Sequence, residues 1–149
     1  MKRKNLVVAI TGASGAPYAR ALLRALPTDD LQIHLVASSA GKLVYGIEIG
    51  TPLEKDIPPG IRIYEEKDFT APIASGSYPT EGMVIVPCTM GTLAGIANGI
   101  SQNLIHRAAD VCLKEGRRLV IVPRETPLSR IHLTNMLRIV ESGGIILPP

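Results

Sequence analysis

The sequence predicts an open, three-layer α/β domain built on a parallel sheet, and three observations predict it. Short, continuous apolar runs bounded by turn residues alternate with segments of helical period. Nearly half of the residues (46%) are apolar but only 3% are aromatic. The core is therefore made of Val, Ile, Leu and Ala, which suits strands buried on both faces. Twice, an apolar run passes through small residues into a helix start: Leu6–Ile10 into Thr11-Gly12-Ala13-Ser14-Gly15, and Met83–Val86, ending at Pro87, into Cys88-Thr89-Met90-Gly91-Thr92. A helix start leaves backbone N–H groups without partners, a geometry suited to a phosphate or another anionic edge. Two such turns on one sheet suggest a phosphorylated, cofactor-sized ligand.

Leu6–Ile10 reads as the first buried strand. Pro17 fits the first turn of the helix that follows, whose expected apolar face is Tyr18, Leu22, Leu23 and Leu26, with Arg20 and Arg24 outward. Gln32–Ala37 is the second strand, closing on Ser38 and Ser39, and Gly41–Ile49 a short helix. Three prolines make Thr51–Gly60 a surface excursion before a short strand at Ile61–Tyr64. Thr70–Pro79 is irregular, and Met83–Val86 is the next strand. Leu104, Ala108, Val111 and Cys112 share one helical face. Arg118–Val122 is a strand ended by Pro123, Leu133, Met136, Leu137 and Val140 mark the next helix, and Gly144–Leu147 is a last short strand. Ligands on such sheets lie outside the carboxyl ends of the strands, where Ser14, Ser38, Cys88–Thr92 and Arg124 all fall.

A length of 149 residues fits a single domain, residues 1–149, large enough to hold its own core. The net charge is +3. Basic residues are scattered, apart from Lys2-Arg3-Lys4, and no aromatics are interleaved with them, which argues against a nucleic-acid surface. Small anionic substrates fit that bias. Cys88 and Cys112 have no metal-ligand spacing, nor do His34, His106 and His132, so no metal is expected. Without a membrane-length apolar run or signal-peptide core, a cytoplasmic protein with reduced thiols is expected. The positive mean hydropathy suggests apolar surface covered by further subunits.

Several residues could carry chemistry, each with a plainer alternative. Ser14 could meet a ligand or cap a helix, and so could Thr89 and Thr92. Cys88 has no histidine placed to activate it and reads as a packed small residue. Arg124 and Glu125, held between Pro123 and Pro127, offer a fork of donors for phosphate and a general acid or base; the alternative is an exposed salt bridge. Arg107, Asp110 and Lys114 lie on one helical stripe, as an ion-pair ladder or with Arg107 and Lys114 reaching an anion. Glu48 ends a helix, where a carboxylate opposes the dipole, which makes it a surface residue or part of a site shared with a neighbouring subunit.

Five segments together carry a resemblance: TGASG at Thr11–Gly15, ASGS at Ala74–Ser77, GMVIVPCTMGTLAGIANG at Gly82–Gly99, NLIHRAADVCLKE at Asn103–Glu115 and PRETPLSRIHLTNM at Pro123–Met136. In this order, over nearly the whole chain, they closely resemble the UbiX-type flavin prenyltransferases. The resemblance implies a flavodoxin-like (Rossmann-type) sheet assembled into a homo-oligomer, a dodecamer, with sites between subunits. It implies a metal-independent transfer of a dimethylallyl group from dimethylallyl phosphate to N5 and C6 of reduced FMN. The product is the prenylated FMN used by a partner decarboxylase of the ubiquinone or aromatic-acid type. Gly12, Ala13, Ser14, Ser38, Thr89, Met90, Gly91, Thr92 and Arg124 would bind FMN. Ser14 and Glu48 match a proton relay near the flavin, Glu125 an acid/base linked to ring closure, and Arg107 and Lys114 basic positions near the substrate phosphate. Family members continue past Pro148-Pro149 into a segment with a Tyr and a basic residue that close over that phosphate; the expectation is a flavoprotein domain without it.

Two other readings stay open. One is an FMN-binding carrier module. The other is a flavin-dependent cysteine decarboxylase, whose Pro-Ala-Ser-Ala-Asn-Thr motif aligns with Pro87–Thr92 and would place Gly91 where that family has Asn.

Overall fold

A computed structural model describes residues 2–149. Its six parallel strands are β1 (Lys4–Ile10), β2 (Leu31–Ala37), β3 (Arg62–Glu65), β4 (Gly82–Cys88), β5 (Arg118–Pro123) and β6 (Ile145–Ile146). They lie in the order β3-β2-β1-β4-β5-β6. The chain grows outward from β1 in one direction, then restarts at β4 on the other side. A crevice therefore opens between β1 and β4 where the connections diverge, the switch point at which doubly wound sheets bind ligands.

Helices cover both faces, and each face has its own core. On one side α1 (Ala16–Ala25), α2 (Ser39–Ile49) and the one-turn α3 (Leu53–Asp56) bury Ala19, Leu23, Tyr45 and Leu53 against Val8, Ile10, Ile33 and Leu35. On the other, α4 (Met90–Ala97), α5 (Leu104–Lys114) and α6 (Arg130–Glu141) bury Leu93, Leu104, Ala108, Cys112 and Ile139 against Val7, Met83, Ile85 and Ile121. Leu104, Ala108, Val111 and Cys112 are buried along α5, as their spacing predicts.

Several elements differ from expectation. β4 runs on through Pro87 to Cys88, with a register irregularity between Ile85 and Cys88; proline is tolerated in a strand at such a break. The Thr51–Gly60 excursion is anchored. Leu53 is fully buried, and Asp56 takes Arg20 at 3.0 Å, Arg24 at 3.1 Å and the Tyr45 hydroxyl at 2.6 Å. In α1 small residues, Ala16 and Ala19, face the sheet with Leu23, leaving Tyr18 54% exposed.

The largest departure is α6. Its buried face is Asn135 and Ile139, while Leu133, Leu137 and Val140 are each more than half exposed. Polar side chains tie it inward: Asn98, just past α4, donates to Asn135 Oδ1 at 3.2 Å and accepts from Arg138. Of the four apolar residues that mark this helix in the sequence, Met136 packs against the core and the other three face outward. Among the described residues no helix is long and apolar enough to cross a membrane.

Candidate active site

The loops after β1, β2, β4 and β5 are joined edge to edge by backbone hydrogen bonds. Ser38 N–H donates to Ile10 O (3.0 Å), Thr11 N–H to Pro87 O (3.2 Å) and Arg124 N–H to Cys88 O (3.3 Å). Thr11, 1% exposed, rivets the switch point: its hydroxyl donates to Pro87 O at 2.9 Å and accepts from Thr89 N–H at 2.8 Å. Ser14, Ser38, Thr89 and Arg124 thus stand on one rim, the convergence the sequence predicts. Close packing fixes the base of the rim. A Cβ on Gly12 would lie 2.6 Å from Ala40 Cβ, and one on Gly41 would lie 2.5 Å from Ile10 O, so neither position accommodates a side chain without displacing its neighbour.

Three helix starts face this rim, and they are not equivalent. The start of α1 is occupied by Glu48, whose carboxylate accepts from Gly15 N–H and Ala16 N–H at 3.2 Å. The last turn of α2 delivers this charge to the positive end of α1, where it is favourable. Glu48 is thus neither an idle surface residue nor poorly placed, and Ser14 is not the cap: Gly15 holds that position without a side-chain bond. The start of α2 is likewise closed. Ser38 Oγ accepts from Gly41 N–H at 2.9 Å, and Glu66 accepts from Ser39 N–H (2.9 Å) and Ser39 Oγ (2.7 Å). Burial pushes the Glu66 carboxyl up, but the two bonds from Ser39 outweigh it and hold it below its ordinary value.

Of these three, only α4 has no carboxylate closing its first turn among the described residues. Thr89 caps it, accepting from Thr92 N–H at 3.1 Å. Met90 and Gly91 lie in the first turn, whose N–H groups have no intrahelical partner, and a Cβ on Gly91 would meet nothing within 4 Å. Removing the cap on α1 has a definite cost. Glu48→Ala is expected to lower stability by about 1 kcal/mol, the usual worth of a helix N-cap, read as a shift in urea midpoint at constant m-value.

Arg124 and Glu125 are exposed on the loop after β5. They form no ion pair with each other among the described residues; Glu125 Oε1 instead accepts from Thr126 N–H at 3.0 Å. The salt-bridge alternative is set aside. Cys88 is fully buried, and burial pushes its thiol far above its ordinary value. It packs in the core, as expected. Cys112 is buried too and pushed up to about 11.

The basic stripe on α5 divides. Arg107 pairs with Asp110 at 3.1 Å and donates from Nε to Ala74 O at 3.0 Å. Lys114 turns away from Asp110 to Glu115, 2.5 Å distant. As a crossover helix, α5 runs antiparallel to the strands. Lys114, in its last turn, therefore sits at the amino edge of the sheet, opposite the rim. Within one chain Lys114 does not join Ser14, Thr89 and Arg124, in keeping with the expectation of sites between subunits. A cavity of about 650 Å³ also lies at that edge, lined by Thr80, Glu81, Arg117 and Arg118 among others. Along the rim, Ser14, Gly91 and Arg124 are exposed.

Fold and rim together define a flavin-nucleotide type of domain: the chain matches the Flavoprotein family over residues 1–149 and belongs to it. Within that family it is a member of the UbiX-type flavin prenyltransferases. It is 48% identical to the flavin prenyltransferase UbiX of Alkalihalophilus pseudofirmus, covering 97% of this chain and 78% of that protein. It is 50% identical to the flavin prenyltransferase LpdB of Lactiplantibacillus plantarum, covering 98% and 79%. Among solved structures, AnUbiX (PadA1), in complex with FMN and dimethylallyl pyrophosphate, superposes with a TM-score of 0.88 at 44% identity, covering 99% of this chain and 79% of that one. A dodecameric FMN-dependent UbiX-like decarboxylase from Escherichia coli O157:H7 gives 0.87 at 47%, covering 97% and 79%. A PPC decarboxylase mutant, at 18% identity and a TM-score of 0.76, covering 99% and 83%, shares the fold alone.

Proposed function

We propose that this chain joins the dimethylallyl group of a dimethylallyl phosphate to reduced FMN, making prenylated FMN for a partner decarboxylase. The observation that carries this reading is the gathering of Ser14, Ser38, Thr89 and Arg124 on one rim beside a helix start that no carboxylate closes among the described residues. A flavin mononucleotide would lie there. The N–H groups of Met90 and Gly91 with Arg124 suit its phosphate, and Gly12, Ala13, Ser14, Ser38, Thr89 and Thr92 line the rim beside it. Bound in reduced form, FMN supplies the nucleophilic N5 and C6 positions that accept the five-carbon unit.

The chain's residues then have distinct tasks. Breaking an allylic C–O bond develops positive charge on carbon and negative charge on the departing phosphate, which Arg107 and Lys114 stabilise. Because Lys114 lies away from its own rim, these two residues serve the site of a neighbouring subunit. Ser14 stands beside Glu48 at the start of α1, placed to pass a proton. Glu125 takes the proton lost as the ring closes. Assembly into a homo-oligomer, a dodecamer on the pattern of the Escherichia coli relative, would cover the outward apolar stripe of α6 and Leu43 and Ile47 of α2. Two free, buried thiols suit the cytoplasm.

Incubation with reduced FMN and dimethylallyl phosphate, followed by mass measurement of the flavin, tests the proposal. A gain of one five-carbon unit is expected. FMN bound but unchanged would indicate a carrier, and carbon dioxide released from a cysteinyl substrate would indicate a decarboxylase. Arg124→Ala is expected to weaken FMN retention at least about tenfold, the loss of one charge-assisted contact, measured by quenching of flavin fluorescence.

A further inference from the structure

The turn Ala74–Tyr78 is held by arginines that the rim does not use. Arg117 reaches it with both ends of its guanidinium: Nη1 donates to Tyr78 O at 2.9 Å and Nη2 to Gly76 O at 2.6 Å. Arg107 donates to Ala74 O at 3.0 Å. The turn is pressed against the end of α5 so closely that a Cβ on Gly76 would lie 2.6 Å from Lys114 Nζ and 2.2 Å from Glu115 Oε1. Between these fixed points Ser75 and Ser77 are exposed, their hydroxyls 2.9 Å apart, with Ser77 N–H donating to Ser75 Oγ at 3.3 Å. Arg107 and Lys114 are two helical turns apart, roughly 10 Å along α5, and the serines lie in the gap between them.

We propose that Ser75 and Ser77 belong to the substrate-phosphate site, and that Arg117 is the positioning residue that holds them there. Arg107, Ser75, Ser77 and Lys114 then form one ridge of donors along α5, presented as a unit to the phosphate of the prenyl donor at a neighbouring subunit's flavin. This rests on the functional reading above. Hydroxyls have a use that the two cations lack. They direct hydrogen bonds to individual phosphate oxygens, whereas Lys114 acts as a point charge and the Arg107 fork is partly committed to Ala74 and Asp110. Arg117 suits its task because a bidentate guanidinium fixes two carbonyls of one turn at once, and no other side chain offers that geometry.

The test compares Ser75→Ala/Ser77→Ala, Arg117→Met and Arg117→Lys with the wild-type oligomer. Three quantities are read: FMN affinity, KM and kcat for dimethylallyl phosphate, and competitive inhibition by inorganic phosphate. In the double serine variant KM and the inhibition constant for phosphate are expected to rise together by about tenfold, with FMN affinity unchanged. Arg117→Met should show the same split, and Arg117→Lys, which holds one carbonyl, should recover part of it. If Arg117→Met does not fold, the serine variant decides alone, since it breaks no contact to the turn's carbonyls. Wild-type turnover with unmoved KM and phosphate inhibition in the serine variant would overturn this inference while leaving the functional reading intact. Wild-type protein that binds FMN but never adds the five-carbon unit would overturn both.

Discussion

Replacing Glu125 by Gln is expected to lower turnover by roughly 10²–10⁴-fold, the range for a lost general acid or base, while leaving FMN affinity within about twofold of wild type. The carboxylate stands in the open on the loop after β5, paired with no cation among the described residues and steadied only by Thr126 N–H. Gln keeps the size of the side chain and an oxygen that can accept that bond, so the loop should survive the change. What it removes is a group that can accept and return a proton. Single-turnover prenylation, followed by flavin mass, reads the chemical step apart from product release. Turnover equal to wild type would end the acid/base assignment; a parallel loss of FMN affinity would make Glu125 a binding residue instead.

The second large effect concerns stability. His34 is fully buried on β2, its Nδ1 2.9 Å from the Tyr64 hydroxyl and its Nε2 3.0 Å from Asn5 Oδ1. Asn5 Oδ1 can only accept, so Nε2 carries the proton and Nδ1 accepts from Tyr64. Tyr78 closes the cluster, its hydroxyl 3.1 Å from the same Asn5 oxygen. Burial, reinforced by the Arg62 charge nearby, lowers the histidine's pKa from 6.5 to about 4. The unfolded chain therefore takes up this proton more readily than the folded one. The stability that a neutral His34 contributes is fully present above about pH 6.5 and is lost as pH falls towards 4. Over that window the loss is on the order of 3 kcal/mol. Other carboxylates titrate in the same range, so the measurement is a difference: urea unfolding of wild type and His34→Gln at pH 7, 5.5 and 4. The wild type's advantage should shrink as the solution is acidified. Parallel curves for the two proteins would refute the assignment.

The sheet was legible because its cause is local: continuous apolar runs such as Leu6–Ile10 and Gln32–Ala37 occur where parallel strands are covered on both faces. The rim followed from strand polarity alone, so Ser14, Ser38, Thr89 and Arg124 could be grouped before any contact was seen. What stayed hidden depends on partners distant in the chain. Glu48 looks misplaced beside its own helix and makes sense only next to Gly15. Glu66, within a charged Glu-Glu-Lys-Asp run, gives no sign that it closes α2. Thr11 was read as part of a glycine turn, and its rivet to Pro87 and Thr89 spans more than seventy residues. The buried face of α6 could not be read from its apolar residues, because such a stripe has the same period whichever surface covers it.

On the proposed reading, Glu48 and Glu66 also bear on which way round a nucleotide would lie. Each already sits where a phosphate would otherwise be drawn, so an anionic tail laid across α1 or α2 would meet a carboxylate instead of a free amide. Among the three starts on this rim, α4 has no such carboxylate among the described residues, so the proposed FMN would turn its phosphate to α4 and its ring towards Ser14. Two acidic side chains would thereby act as a keyway, admitting the ligand in one head-to-tail sense and presenting one edge of the ring to the incoming five-carbon unit.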